Sequence, residues 1–308
     1  MITNNFSLNP IKKIREHDPA KRTVIRASRS ADPDDAFAWW AIQTGLIGLH
    51  NVKIDVSAHS IQQNNLACLL EEPDVAAISS AAWPLMAEQY VILSSGASVG
   101  RNYGPALAVR SDSRHGDPRK MRIAIPGEHT TAAMLLRIFF PECQTVEMEF
   151  KQIAQAVLSH KVDAGVLIHE ELLNWRDKGL KRLLCLGEEW SACTGLPIPV
   201  GLNVAHRRLG PQLLRETSGL VRQSMLEANF YHDRAMEFAM RYSIESQEGI
   251  GKQFIGMFAN QDTLELPGDC IMALNELYRL ANRQGLIDSI PPLEIIPSRC
   301  ASMVLSVN

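Results

Sequence analysis

The stretch Val162-Asp163-Ala164-Gly165-Val166-Leu167-Ile168-His169-Glu170 decides how this chain folds. It opens as an apolar run. Val162, Ala164, Val166, Leu167 and Ile168 offer water almost nothing, the pattern of a parallel-sheet strand covered on both faces. It stops abruptly on His169, Glu170 and Glu171. Open α/β sheets bind ligands beyond the carboxyl ends of their strands, so a histidine placed there can reach one, and an imidazole moves protons readily near neutral pH. A lone histidine is a weak signal by itself. A buried ring bonded within the core is the other reading.

The segments around this strand extend the pattern. Residues 122–125 read as a strand, followed by Pro126-Gly127-Glu128-His129-Thr130-Thr131 and an apolar helix over 132–140. A strand, a glycine turn and hydroxyl residues at a helix start make a ready anion site, because backbone N–H groups and the positive end of the helix dipole point at the ligand. Ordinary capping by Thr130 is the alternative. Residues 151–160 form a helix with Ile153, Ala156 and Val157 on one face. Together these pieces predict a small doubly wound lobe.

The flanking chain supplies a larger lobe. Strands are expected at 22–28, 52–56, 75–80 and 89–95, and helices at 60–70 and 81–88. In Asp32-Pro33-Asp34-Asp35, Asp32 fits an N-cap, Pro33 the first helical position and Asp35 a reciprocal cap. The same aspartates follow a strand's carboxyl end, where ligand contacts collect, so Asp34 and Asp35 are also candidate binding residues. Gly96, Gly100 and Gly104 punctuate a loop before Pro105 and lack the Gly-Lys-Ser/Thr of a phosphate loop. A strand at 180–186, a rigid turn at 194–199 and a strand at 200–205 lead back. Helices then follow at 213–230, 233–242, 247–260 and 270–284, before a proline-rich extended tail. The expected division is a flexible arm at 1–21, a first lobe from 22–104 and 203–308, and a second lobe at 105–202.

Composition narrows the function. The chain has 308 residues, 46% hydrophobic and 21% charged, enough for two cores. A formal charge of -3 argues against nucleic acid as a partner. No apolar run is long enough to span a membrane. The polar start, with Lys12, Lys13, Arg15, Lys21 and Arg22, has no apolar signal core, which predicts a cytoplasmic protein. Cys68, Cys143, Cys185, Cys193, Cys270 and Cys300 form no Cys-x-x-Cys pair and read as reduced buried residues, a Cys185–Cys193 disulfide being the less favoured option. The nine histidines show no metal-ligand spacing, so no metal is expected.

Five blocks, in order, resemble one family. They are Ser30-Ala31-Asp32-Pro33-Asp34-Asp35-Ala36-Phe37, Ser94-Ser95-Gly96 through Gly100-Arg101-Asn102-Tyr103-Gly104-Pro105, Ile125-Pro126-Gly127-Glu128-His129-Thr130-Thr131-Ala132, the stretch from Asp163 to Glu170, and Leu186-Gly187-Glu188-Glu189-Trp190 with Thr194-Gly195-Leu196-Pro197-Ile198-Pro199-Val200-Gly201. The chain resembles the menaquinone biosynthesis enzymes of the futalosine pathway, and among them the 1,4-dihydroxy-6-naphthoate synthases more than the chorismate dehydratases. The resemblance implies an α/β fold like the type 2 periplasmic solute-binding proteins, two lobes with a ligand cleft between them. It implies His169 as proton acceptor, Thr131 and Ala132 as one substrate-binding pair, and Val75, Ala76 and Ala77 as a second substrate-contacting segment. It implies a small anionic substrate and no cofactor. The family's first block often reads Ser-Pro-Cys-Pro-Asn-Asp-Thr, so this chain carries acidic groups where neutral polar ones are common. A Tyr often stands where Ser80 is, and a Gly where Asn102 is.

Three functions follow. The first is a lyase acting on cyclic dehypoxanthinyl futalosine, with one base, donors for developing oxyanions and exclusion of water. The second is a non-catalytic solute receptor on the same fold, against which the absence of a secretory segment counts. The third is a chorismate dehydratase-like enzyme or a diverged paralogue acting on another carboxylate.

Overall fold

Alternating apolar residues and turn signals build two sheets, one inserted within the other. The computed structural model describes residues 23–114, 116–244 and 247–298; the arm at 1–21, Arg22 and Cys300 lie outside them. In the first sheet β1 (Thr23–Ser30) pairs in parallel with β2 (Val52–His59) and with β3 (Val75–Ser79). β4 (Tyr90–Leu93) and β5 (Ser98–Gly100) follow. The chain then crosses to the second sheet, made of β6 (Ala106–Arg110), β7 (Arg122–Ile125), β8 (Gln144–Glu147), β9 (Ala164–Leu167) and β10 (Leu180–Cys185). It returns on β11 (Ile198–His206), which lies between β4 and β3, and ends the first sheet with β12 (Ile295–Ile296) beside β4.

The deciding strand is β9, and all four of its residues are buried. It runs parallel to β7 on one side and antiparallel to β6 on the other, so the expected all-parallel setting holds on one edge only. β6 is the strand that enters from the first lobe, and its direction is fixed by that entry. Gly165 is required there: a Cβ would meet Cγ2 of Ile153 at 2.3 Å. Its absence lets α5 (Phe150–Leu158) lie directly on the strand, with Ile153, Ala156 and Val157 buried as the spacing predicts.

Several expected elements take a different form. Residues 81–88 are not an α-helix; Ser80–Leu85 is a 3-10 turn with Pro84 inside it, since proline lacks the N–H an α-helix would use. The glycine loop contains β5. β10 ends at Cys185, and Leu186 begins a helix, Leu186–Thr194, closed by Gly195 at φ 70. Asn102 sits at φ 62. Glycine takes that conformation freely and asparagine tolerates it better than most residues. The described cysteines are all free, Cys185 and Cys193 included. Among the described residues no helix is long and apolar enough to cross a membrane.

Helix starts sit where the site needs them. α1 (Pro33–Ala38) leaves β1, α3 (Ile61–Leu69) leaves β2, and α4 (Thr131–Phe139) leaves β7. Ser60 caps α3 with a full capping box to Gln63. The long helix over Gly210–Phe230 covers α1 and buries Leu214, Leu220, Val221 and Met225 with Phe37, Trp39 and Trp40. Glu248–Phe258, a later helix of the first lobe, brings Phe254 and Phe258 to the gap between the sheets.

Candidate active site

The carboxyl ends of β1, β3, β7 and β9 converge on one cleft of about 700 Å³, open at its mouth. From the first lobe come Ser30, Asp32, Asp34, Asp35, Ala77, Ser79, Ser98 and Phe254; from the second come Thr130, Thr131, Ala132, Ile168 and His169. Val75 and Ala76 do not line it. Their side chains point into the two cores beneath β3, which leaves Ala77 as the one member of that segment at the cleft. Ser79, Ser98, Phe254 and Phe258 had no distinguishing signal in the sequence, since small polar loop residues and a Phe pair at helical spacing are common anywhere.

His169 follows β9 in a left-handed backbone conformation, φ 58. Non-glycine residues take this conformation rarely, and it re-aims the side chain out of the strand's plane. Phe150 packs its ring edge-on at 4.6 Å and Phe254 at 6.3 Å. Nδ1 lies 3.0 Å from Oδ2 of Asp32. A carboxylate only accepts, so the hydrogen of this pair belongs to Nδ1, and in a neutral ring that leaves the lone pair on Nε2. Nε2 is buried and has no hydrogen-bond partner among the described residues.

Asp32 sits at the N-cap position of α1 but makes no capping hydrogen bond. Its Oδ2 accepts from the Ser30 hydroxyl as well as facing His169. Asp35 accepts the Ser30 amide N–H at 2.7 Å, and Asp34 accepts the Ser98 hydroxyl at 3.2 Å. The expected capping roles thus give way to the cleft. Burial pushes the Asp35 carboxyl up to about 7, against the opposing pull of the Ser30 amide and the Arg29 guanidinium. Burial also holds Asp34 well above the usual carboxylate range, reinforced by the charges of Asp35 and Asp32. Arg29, fully buried, backs this group: it donates to the Ser30 carbonyl at 2.6 Å and lies over the Tyr242 ring at 4.0 Å. The cleft is therefore less negative than three aspartates suggest.

Across the cleft, Thr130 caps α4 by accepting from Ala133 N–H at 3.2 Å and donates to the Gly127 carbonyl at 2.7 Å. The Thr131 hydroxyl donates to the Val200 carbonyl at 2.8 Å and accepts from Ala81 N–H at 3.2 Å. Both hydroxyls are committed. What remains for a ligand is the first pair of α4 amides, on Thr131 and Ala132, which no carbonyl of the helix can reach. A Cβ on Gly127 would stand 2.4 Å from the Gln62 side chain, so glycine lets α3 approach this turn. Glu170 does not face the cleft. It accepts from Ile244 N–H at 2.9 Å and from the Ser243 hydroxyl, a second contact between the lobes. Glu171 pairs with Lys178 at 3.0 Å. Among the described residues no cluster of His, Cys, Asp or Glu is arranged to hold a metal ion.

Two lobes shut on a cleft with ligand-facing helix starts define a protein of the periplasmic-binding-protein fold. The alkanesulfonate-binding protein of Xanthomonas axonopodis, solved with MOPS bound, superimposes with a TM-score of 0.67 at 14% identity, covering 90% of this chain and 97% of its own. A protein of Archaeoglobus fulgidus superimposes with a TM-score of 0.82 at 38% identity, covering 86% of this chain and 98% of its own. Residues 25–283 match the menaquinone biosynthesis family, and the chain belongs to it. The 1,4-dihydroxy-6-naphthoate synthase of Streptomyces coelicolor is 30% identical over 275 residues, 87% of this chain and 96% of that protein. The enzyme of the same name from Thermus thermophilus is 28% identical over 268 residues, 87% of this chain and 97% of that one.

Proposed function

We propose that this chain is a carbon–carbon lyase of menaquinone biosynthesis that converts cyclic dehypoxanthinyl futalosine to 1,4-dihydroxy-6-naphthoate without a cofactor, with His169 as general base. One observation carries the reading: His169 lines the cleft with a buried Nε2 that has no partner among the described residues, while Nδ1 lies 3.0 Å from Asp32. A structural histidine would use both nitrogens. The family membership and the names of the two curated relatives support the substrate class.

In this reading a substrate C–H bond gives its proton to Nε2, and the electron pair left behind drives cleavage of a neighbouring C–C bond. The amides of Thr131 and Ala132 hold a substrate carboxylate at the start of α4. Burial favours the protonated form of Asp34, and in that form it donates to a substrate oxygen rather than repels it. Phe254, Phe258, Ile168 and Leu172 exclude water from the reacting centre. The test is turnover of the cyclic substrate by purified protein with nothing added, followed as naphthoate formation. His169→Asn is expected to bind substrate and lose turnover by about 10²–10⁴-fold. Saturable binding with no turnover by the wild type would make the protein a receptor instead.

A further inference from the structure

The residue that faces His169 stands on the other lobe. Asp32 follows β1 in the first lobe, at the N-cap of α1; His169 follows β9 in the second. Their side chains meet at 3.0 Å with 13% and 9% of their surfaces exposed. Ser30 fixes the carboxylate from behind by donating to the same oxygen. Among the described residues of the second lobe none replaces it: Phe150 offers His169 a ring edge, and Glu170, next in sequence, is turned toward Ser243 and Ile244.

We infer that Asp32 is the positioning residue for the base, and that closing the cleft is the step that fixes the His169 ring with Nε2 toward the substrate. This rests on the proposed role of His169. A neutral imidazole has two tautomers, and the ring is free to rotate about its side-chain bonds. A carboxylate at Nδ1 selects one tautomer and one ring orientation, as carboxylate partners of functional histidines do elsewhere. The partners stand on separate lobes, so an open cleft leaves His169 without this constraint. Tautomer and aim arrive together with substrate enclosure, which keeps an oriented base from working on a substrate still exposed to water.

Asp32→Asn keeps the shape and removes the charge that compels Nδ1–H. It is expected to lower kcat about 10–100-fold, to leave KM within about threefold, and to melt as the wild type does. Histidine labelled with ¹⁵N reads the tautomer directly in the ligand-free protein and in protein saturated with 1,4-dihydroxy-6-naphthoate. The saturated wild type is expected to show His169 as Nδ1–H alone, and Asp32→Asn to show a mixture. Asp32→Glu, which retains a carboxylate, is expected to recover part of kcat. A saturated wild type with His169 as Nε2–H would overturn the inference whether or not the variants fold. So would an Asp32→Asn enzyme with wild-type kcat. If His169→Asn itself keeps full turnover, the proposed base is wrong; if His169→Asn is dead while Asp32→Asn is unimpaired, only the role of Asp32 falls.

Discussion

His169 and His206 begin as the same construction and finish differently. Each stands at a strand end, His206 as the last residue of β11. Each faces a carboxylate, at 3.0 Å for Asp32 and 3.1 Å for Glu71. Each takes an aromatic ring edge-on, Phe150 at 4.6 Å and Tyr90 at 4.8 Å. At His206 the second nitrogen accepts the Arg208 N–H at 3.0 Å, and the ring is complete. At His169 the second nitrogen is buried with no partner among the described residues. A buried polar atom without a partner destabilises the fold by about 1–3 kcal/mol. The carboxylate does not separate the two rings. The second nitrogen does, and in the proposed function it is the atom that takes the substrate proton.

The comparison can be broken by exchanging the two phenotypes. His169→Asn is expected to lose turnover by about 10²–10⁴-fold with little change in melting temperature. His206→Ala is expected to keep turnover per folded molecule and to lose about 1–3 kcal/mol of stability, through the orphaned Arg208 N–H and the lost ring. Calorimetry and product formation on the same preparations measure both. The distinction fails if the two variants give the same pattern.

Thr131 lies between these extremes. Its hydroxyl joins α4 to Val200 on β11 and to Ala81 of the first lobe, so both of these contacts help hold the lobes together. Thr131→Ala is expected to raise KM up to about tenfold, the equivalent of one buried hydrogen bond of about 1.4 kcal/mol, and to lower the melting temperature as well. Thr131→Ser should restore both. A KM effect with no change in melting would place the hydroxyl on the ligand.

The smallest expected effect sets the acidic side of the cleft apart from the surroundings of His206. Asp34 and Asp35 have folded values raised above the ordinary carboxylate, Asp35 to about 7. Between an ordinary carboxylate pKa of about 4 and about 7 the folded protein therefore holds more protons than the unfolded chain. Their contribution to stability is full at the acid end and lost as pH rises through about 7. Melting curves across that window should show a decline of a few degrees, flatter in Asp34→Asn. A melting temperature that climbs over the same window would contradict the burial argument.

How far the sequence reached depended on the range of the interaction. The apolar run before His169 and the helix start after Gly127 are local patterns, and both were readable. Asp32 was not: Asp-Pro-Asp-Asp is a strong local signature for a helix start, and the carboxylate leaves that role for a partner on the other lobe. Thr131 was readable as a residue at a helix start, where it does line the cleft, but the use of its hydroxyl by Val200 and Ala81 depends on how the lobes meet. β8, with the polar sequence Gln-Thr-Val-Glu, and the two-residue β12 carry too little pattern to be seen. Val75 and Ala76 were assigned by resemblance, and pleating decides the rest: successive side chains of β3 turn to opposite cores.

The order of the strands also dictates an order of events at the ribosome. β11 is an interior strand of the first sheet, between β4 and β3, yet it is made after every strand of the second. The second lobe has its ends already joined, the Leu186 N–H donating to the Pro105 carbonyl at 2.8 Å. Domains usually mature from the N-terminus during synthesis. Here the lobe that starts first must wait with an open slot between β3 and β4, while the inserted lobe can mature ahead of it. The nascent chain thus exposes Ile78 and Ile92, both buried in the finished protein, until Leu202 and Val204 emerge to cover them. A stall in translation just before residue 198 is therefore the point at which this protein most needs a chaperone.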